Sequence, residues 1–272
     1  MSDFLKTMAK ESADRASAAK NAVQSSDLDL PVIPLALGKF DVIAEIKNRS
    51  PSEGALADEA SSHGERAVVY AEAGAAAISV LTEPTQFAGE LAHLEEVVTA
   101  VDGTSVPVLR KDFLVDPIQI LEARATGASG VLLITTMLSD DQMSNMLNCA
   151  YEHNMFVLLE SFDEDDLRRS VALLADPRHR HQAESAKLLF GVNTRDLRTL
   201  HVDPERLKSL SVLLPEGIAC VAESGLQDRD DAAAAASWGY TLALVGTALM
   251  RATDPGQLIH EMLEAGRNRR AA

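Results

Sequence analysis

Short apolar segments alternate with longer segments of helical periodicity along most of the chain. The first pair is an apolar run at residues 41–47 and a helical pattern at residues 65–73. The apolar runs contain few polar interruptions, which is typical of parallel strands buried on both faces, whereas half-exposed strands show strict alternation. The pattern therefore predicts parallel strands that are connected by helices.

Eight strand-and-helix pairs follow one another from residue 41 onward. The predicted strands are residues 41–47, 77–82, 106–112, 130–135, 156–160, 188–193, 218–223 and 241–245. Eight units in about 230 residues fit a closed (β/α)8 barrel, the TIM barrel, better than an open doubly wound sheet. No GxGxxG motif follows the first strand, which argues against a dinucleotide-binding fold.

Two segments lie outside this series. Residues 1–40 precede the first strand, and a helical pattern at about residues 3–19 predicts an N-terminal helical extension, so that the barrel takes residues 41–272. The second segment, residues 175–187, is polar and contains His179 and His181. No Cys or third His lies there to complete a metal site, and we predict a solvated loop.

Composition excludes several classes of partner. Of 272 residues, 41 are acidic and 25 are basic, which gives a net charge of −16. DNA, RNA and anionic lipid are therefore not expected partners, because each needs clustered cations. No run reaches about 18 apolar residues, so no membrane span is expected. The cysteines, Cys149 and Cys220, lie in no CxxC or Cys/His motif, which predicts buried thiols in a reducing, cytoplasmic setting.

Charged and amide side chains interrupt the apolar pattern at the carboxyl ends of the predicted strands. In a TIM barrel this rim carries the reacting residues, whereas the layers below it are packing. The interrupting residues are Glu45, Lys47, Lys111, Glu160, Asn193, Arg195 and Glu223. Each one alone is most simply an exposed charge at a strand end. Together on one rim they predict an active site, in which cations and carboxylates shift each other's pKa and act as acid and base.

Two loops at the same rim predict a phosphate site. Ser224 and Gly225 follow the seventh predicted strand, and Gly246 and Thr247 follow the eighth. Glycine allows backbone N–H groups to approach a phosphate, and a helix start adds positive partial charge. In TIM barrels the loops after strands seven and eight are the usual location for a phosphate group.

The strings around these residues resemble one enzyme family. They are AEIKNRSPSEG (44–54), LTEPTQFAG (81–89), PVLRKDFLVDPIQILEARATGA (107–128), GVNTRDL (191–197), AESG (222–225) and LVGTALMR (244–251). From about residue 40 to the C-terminus the sequence is similar to the indole-3-glycerol-phosphate synthase family of tryptophan biosynthesis. The combination of EIKxxSPS, RKDF and NxRDL is specific, while pieces such as ESG occur in many phosphosugar barrels.

The resemblance implies a reaction and a role for each matching residue. The reaction closes the indole ring of 1-(2-carboxyphenylamino)-1-deoxyribulose 5-phosphate, with loss of carbon dioxide and water and with no metal or organic cofactor. Lys111 is implied as general acid and Glu160 as general base, assisted by Lys47, Glu45 and Glu223. The implied binding residues are Ser50, Phe113, Asn193, Arg195 and Leu197 for the substrate and Ser224, Gly225, Gly246 and Thr247 for its phosphate.

Some positions depart from the family pattern, and other functions stay open. Thr194 stands where a second Asn is usual, and Glu53 and Glu90 stand where Lys and Ser are common. Another phosphosugar barrel, such as phosphoribosylanthranilate isomerase, would need a Cys/Asp pair, but Cys220 lies inside a predicted strand. A non-catalytic paralogue or scaffold would typically lack the acid or the base. No amphipathic stripe predicts an interface, which is compatible with a monomer.

Overall fold

A closed barrel of eight parallel strands forms the body of the molecule, which confirms the TIM-barrel prediction. The computed structural model describes residues 2–19, 23, 28–50, 54–56, 61–197, 199 and 201–270. In chain order the barrel strands are β1 (Asp41–Ile46), β4 (Ala77–Leu81), β5 (Val108–Lys111), β6 (Gly130–Ile134), β7 (Phe156–Ser161), β8 (Leu188–Asn193), β9 (Cys220–Glu223) and β10 (Leu242–Val245). A short antiparallel hairpin, β2 (Arg49–Ser50) and β3 (Gly54–Ala55), follows β1.

Helices connect the strands and form the outer layer. They are α1 (Asp3–Ala19), α2 (His63–Glu72), α3 (Leu91–Ala100), α4 (Pro117–Ala125), α5 (Asp140–Glu152), α6 (Glu164–Ala172), α7 (Pro177–Glu184), α8 (Arg206–Leu210), α9 (Arg229–Ser237), α10 (Thr247–Arg251) and α11 (Pro255–Arg270). Ser62, Asp116 and Ser139 form capping boxes that satisfy N–H groups at the starts of α2, α4 and α5. None of the helices in the described ranges is long and apolar enough to cross a membrane.

Strand side chains alternate between the interior of the barrel and the layer beneath the helices. On β1, Val42 and Ala44 belong to the core between strands and helices, whereas Ile43 belongs to the interior cluster. Since strand side chains alternate, Glu45 lies on the same face as Ile43 and points into the barrel. The same alternation directs Lys111 inward, because Leu109 belongs to the interior cluster.

The N-terminal extension packs against the barrel interior. Leu5 and Met8 of α1 are buried within the interior cluster, and Leu35 packs against the same cluster. A guanidinium nitrogen of Arg15 lies 2.7 Å from Oδ1 of Asp112, the residue that follows β5. Because β5 ends at this point, α1 lies beside the carboxyl rim of the barrel.

The predicted loop at residues 175–187 is wrong, because this segment contains the helix α7. Asp176 caps the helix by accepting a hydrogen bond from the backbone of Arg178, and a proline occupies the first turn, where its missing N–H costs nothing. His179 is buried, and its Nδ1 lies 3.3 Å from the hydroxyl of Tyr151. His179 is therefore a packing residue that joins α7 to α5.

The cysteines are free thiols in different surroundings. Cys220 is buried in β9, as the sequence predicts, whereas Cys149 is only half-buried, which corrects the expectation of two buried thiols. Burial still raises the pKa of the Cys149 thiol to about 11. The thiol form is therefore favoured at neutral pH, and this thiol is a weak nucleophile.

Candidate active site

Two adjoining cavities of about 60 and 390 Å³ open at the carboxyl ends of the strands. Both are lined by Glu45, Lys47, Lys111, Arg195 and Ser224. The smaller cavity also contacts Ser50, Phe113, Asn193 and Leu197, and the larger contacts Glu223, Gly225, Gly246 and Thr247. The structure thus brings the sequence-predicted residues together, except that Glu160 lies beneath the floor and lines neither cavity.

The barrel topology accounts for this convergence. Lys111, Asn193 and Glu223 are the last residues of β5, β8 and β9, and Glu160 lies one residue from the end of β7. Parallel strands of a closed barrel end at one rim, so residues distant in sequence meet there. In the register of the sheet, Asn193 pairs with Glu223. The polar side chains of neighbouring strands therefore lie at the same height.

Lys111 lies between two buried carboxyl groups. Its Nζ is 3.2 Å from Oε2 of Glu160 and 3.9 Å from Oε2 of Glu223. Burial alone would lower the pKa of Lys111, but attraction to Glu160, Glu223 and Glu45 outweighs it and raises the pKa well above the ordinary lysine value. The side chain is therefore an ammonium group at neutral pH and can donate a hydrogen bond to a substrate oxygen.

Glu160 is fully buried and is oriented by an amide. Asn193 Nδ2 donates to Glu160 Oε2 at 3.0 Å, while Glu160 Oε1 has no partner among the described residues. Asn193 is itself fixed, because its Oδ1 accepts from the backbone N–H of Arg195 and its carbonyl oxygen accepts from Arg206 Nη1, both at 2.9 Å. This chain leaves one oxygen of Glu160 available to accept a proton.

Glu223 is the least satisfied carboxyl group of the site. It is 1% exposed, and neither of its oxygens has a hydrogen-bond partner among the described residues. Burial, and next the repulsion from Glu160, raise the pKa of Glu223 well above its ordinary value, although Lys111 opposes both. Glu223 therefore holds its proton more tightly than an ordinary carboxyl group does.

Glu45 and Lys47 form a second ion pair on the opposite wall. Lys47 Nζ lies 2.6 Å from Glu45 Oε1. Burial opposes ionisation of Glu45, but attraction to Lys47, and then to Lys111 and Arg195, outweighs burial and lowers the pKa of Glu45. Glu45 is thus an anion that holds Lys47 in place. Its pKa is shifted in the direction opposite to that of Glu223.

A glycine in β8 leaves the space that the Glu223 side chain occupies. A Cβ atom at Gly191 would overlap Glu223 Oε1 and would lie 3.0 Å from Leu158 Cδ1. We expect Gly191→Ala to displace the Glu223 carboxyl group and to lower kcat by at least about tenfold, since small displacements of catalytic groups are costly. Steady-state kinetics measure the effect. Gly256→Ala is the control, because its Cβ makes only ordinary contacts of 3.5 Å or more, and an unchanged kcat in Gly191→Ala would contradict the prediction.

An aromatic and aliphatic wall, only part of which the sequence predicts, faces the charged groups. The ring of Phe113 lies 6.1 Å from that of Phe4 and 6.2 Å from that of Phe87. Phe87 lines the smaller cavity, and its backbone N–H donates to the buried Glu83 at 3.1 Å. Sequence reasoning missed Phe87 as a site residue, although it lies in the matching string LTEPTQFAG. Leu81, Leu132 and Ile134 complete the wall and were also missed.

The loops after β9 and β10 form the far side of the larger cavity. Ser224 and Gly225 both have left-handed backbone conformations, with φ of 64° and 78°. A serine in this conformation is uncommon and marks a turn that the surrounding structure holds in place. Arg251, at the end of α10, lines the same cavity and was missed from the sequence, although it ends the string LVGTALMR. Its guanidinium adds a cation beside Gly246 and Thr247.

The cavity combines ammonium and guanidinium groups with carboxyl groups of contrasting acidity. Such a set can polarise a carbonyl group, remove a proton and hold an anion. Within the described ranges, no cluster of three or more His, Cys, Asp or Glu side chains has the arrangement to hold a metal ion.

Comparison with known proteins identifies the relatives of this chain. The family model described as indole-3-glycerol phosphate synthase matches residues 6–262. The indole-3-glycerol phosphate synthase of Parafrankia sp. (strain EAN1pec) is 42% identical over 84% of this chain and 79% of that protein. That of Arthrobacter sp. (strain FB24) is 44% identical over 84% and 78%, respectively.

Solved structures agree on the fold. Thiamine phosphate pyrophosphorylase from Pyrococcus furiosus superposes with a TM-score of 0.57 at 16% identity, over 85% of this chain and 97% of that chain. Identity this low supports the barrel fold alone. Because the family model and the sequence relatives match most of its length, the chain belongs to the indole-3-glycerol phosphate synthase family, the carboxy-lyases of tryptophan biosynthesis.

Proposed function

We propose that the chain closes the indole ring of 1-(2-carboxyphenylamino)-1-deoxyribulose 5-phosphate, with Lys111 as general acid and Glu160 as general base. The observation that carries this proposal is the ammonium group of Lys111, 3.2 Å from the buried Glu160 carboxylate. Lys111 lines a cavity with an aromatic wall on one side and cationic loops on the other, and Glu160 lies directly beneath it. The substrate is an aromatic acid joined to a phosphorylated sugar. Its aromatic ring matches the aromatic wall of this cavity, and its phosphate matches the cationic loops.

Ring closure begins with the formation of a carbon–carbon bond. The aromatic carbon that bears the carboxylate attacks the C2 carbonyl of the sugar, while Lys111 donates a proton to the carbonyl oxygen. Donation to the oxygen stabilises the charge that develops in the transition state. The carboxyl group then leaves as carbon dioxide, and its bonding electrons return to the ring.

Dehydration completes the pyrrole ring. The new hydroxyl group leaves as water with a proton from Lys47, which Glu45 holds at 2.6 Å. Glu160 removes the proton from the carbon beside the nitrogen, so that the double bond forms. The substrate receives two protons, from Lys111 and Lys47, and loses one to Glu160. One proton is therefore taken up for each carboxylate that departs as carbon dioxide.

The remaining lining residues bind the substrate in this proposal. Phe113, Ser50 and Leu197 contact the anthranilate end, while Asn193 and Arg195 contact sugar hydroxyl groups or the carboxylate. Ser224, Gly225, Gly246 and Thr247 bind the phosphate group, and Arg251 adds an attractive charge. The cationic side chains of the cavity make a local positive field in a chain whose net charge is −16.

Turnover of the purified chain tests the proposed function. We expect the carboxyphenylamino substrate to be converted to a fluorescent indole product, because the indole ring fluoresces differently from the anthranilate group. The measurement follows indole fluorescence with time and detects carbon dioxide release in a parallel sample. The Lys111→Met variant is the matched blank. A folded chain that releases neither indole nor carbon dioxide would refute the proposal.

The proposal also covers the organisation of the chain and its setting. Residues 41–272 serve as the catalytic domain and residues 1–40 as an extension, in a cytoplasmic monomer. The monomer is supported by the small number of exposed large apolar side chains among the described residues, which are Leu30, Val68, Val69 and Val212. The two free thiols support a reducing compartment.

A further inference from the structure

A pair of stacked histidines lies outside the cavities, where α2 and α3 begin. The rings of His63 and His93 are 4.2 Å apart and inclined by 26°. His63 is the first residue of α2, and His93 lies in the first turn of α3. Neither residue lines the active-site cavities or takes part in the reaction as proposed above.

Hydrogen-bond partners give these two rings different roles. His63 Nε2 lies 2.6 Å from Asn48 Oδ1, and His63 Nδ1 lies 3.3 Å from a carboxylate oxygen of Glu96. An amide oxygen can only accept, so His63 Nε2 carries the hydrogen of the bond to Asn48. His93 Nδ1 instead accepts from the backbone N–H of Glu90 at 3.1 Å. The geometry thus stacks a ring that donates to Asn48 on a ring that accepts from the backbone.

Asn48 extends this chain of hydrogen bonds to two walls of the cavity. Because its Oδ1 accepts from His63, its amide nitrogen is left to donate, and it donates to the carbonyl oxygen of Ala88 at 2.9 Å. Asn48 follows Lys47, and Ala88 follows Phe87. The Asn48 amide therefore bridges the loop that carries Lys47 and the loop that carries Phe87 of the aromatic wall.

We propose that His63 is a positioning residue for substrate binding, which holds Asn48 so that the walls carrying Lys47 and Phe87 keep their spacing. The proposal rests on the function proposed above. An asparagine side chain can rotate and exchange its oxygen and nitrogen, and only one orientation donates to Ala88. His63, with Nδ1 beside Glu96, donates from Nε2 to Asn48 and so selects that orientation.

Replacement of His63 tests the proposal by its effect on KM relative to kcat. We expect His63→Ala to raise KM about fivefold, the equivalent of one ordinary hydrogen bond, and to leave kcat within about twofold, because Lys111 and Glu160 lie elsewhere. His63→Gln, whose amide can still donate to Asn48, should recover most of the loss. His260→Ala is the matched control, since that histidine is exposed on α11.

The double variant separates a positioning role from a general loss of structure. Asn48→Ala should raise KM as His63→Ala does, and the two changes together should raise it no further, since both break one chain. Effects on KM that multiply, or a folded His63→Ala variant with an unchanged KM, would overturn the proposal.

Nitrogen-15 NMR of labelled histidines gives a readout that is independent of turnover. The signals lost in His63→Gln should be those of a ring that carries hydrogen on Nε2, and the signals of His93 should show an unprotonated Nδ1. A His63 ring without hydrogen on Nε2 would overturn the proposal even if KM changes. Absence of turnover by the unmutated chain would refute the proposed function and leave this hydrogen-bond pattern standing.

Discussion

We expect the Lys111→Met variant to lose turnover by a factor of about 10²–10⁴, the usual contribution of a positioned acid. Methionine keeps an unbranched, flexible side chain but has no proton to donate to the substrate carbonyl. It also leaves Glu160 and Glu223 buried without the ammonium group that lies 3.2 and 3.9 Å from them. Glu160 thus loses its ion-pair partner, so that the proposed base is disturbed together with the proposed acid.

Kinetics and substrate binding together identify the cause of this loss. The rate of indole formation should fall while calorimetry still detects substrate binding, because the phosphate loops and the aromatic wall are unchanged. Lys187→Met is the matched control, since Lys187 precedes β8 at the opposite end of the barrel and its side-chain ammonium donates to Asn154 at 3.2 Å. A Lys111→Met variant that retains more than a tenth of the turnover would exclude Lys111 as the general acid.

We expect Glu223→Gln to lower turnover by at least about tenfold and, at the same time, to make the fold more stable. Glutamine keeps the shape of the side chain and removes a group whose ionisation is opposed by burial and by Glu160. Its amide nitrogen can also donate to the unpartnered oxygen of Glu160. A gain of about 1 kcal/mol raises Tm by about 2–4 °C in a chain of this size, which calorimetry resolves.

The raised pKa of Glu223 determines how the free energy of unfolding changes with pH. The folded chain holds the Glu223 proton to a higher pH than the unfolded chain, whose carboxyl group titrates near 4.5. As pH rises through that value, the unfolded state binds fewer protons than the native state, and the free energy of unfolding falls. The advantage of Glu223→Gln over the unmutated chain should therefore be absent at acidic pH and should grow towards neutral pH.

An exposed carboxylate serves as the control for this experiment. Glu264 lies on the outer surface of α11, and Glu264→Gln should change neither turnover nor the pH dependence of Tm. A constant stability difference between Glu223→Gln and the unmutated chain from acidic to neutral pH would show that folding does not raise the pKa of Glu223. That result would contradict the prediction.

The sequence predicts the barrel well because the signals for it are local. An apolar run identifies each buried strand, and residues such as Ser139 and Pro117 mark helix starts by their capping chemistry. The helix α7 was missed because a polar, His- and Arg-rich segment looks like a loop. The Asp176-Pro177 pair is a helix-start signal, but the burial of His179 depends on Tyr151, which is distant in sequence.

The site was predictable as a set of residues but not as a set of interactions. Position at a strand end is enough to bring Lys111 and Glu223 to one rim. The acidity of a carboxyl group depends on distances across the barrel. Glu45 lies 2.6 Å from Lys47, whereas Glu223 lies 3.9 Å from Lys111 and has no hydrogen-bond partner among the described residues. Likewise, nothing local to Gly191 indicates that its missing side chain leaves room for a carboxyl group.

The order of the site residues along the barrel divides the chemistry between the two halves of the chain. Both lysines and Glu45 come from strands before residue 112, whereas Glu160, Asn193, Glu223 and the phosphate loops come from strands after residue 155. Neither half contains both the proposed acid and the proposed base. Catalysis therefore reports that the halves have joined correctly, and a chain cut between α5 and β7 would recover activity only by reassembly of its fragments.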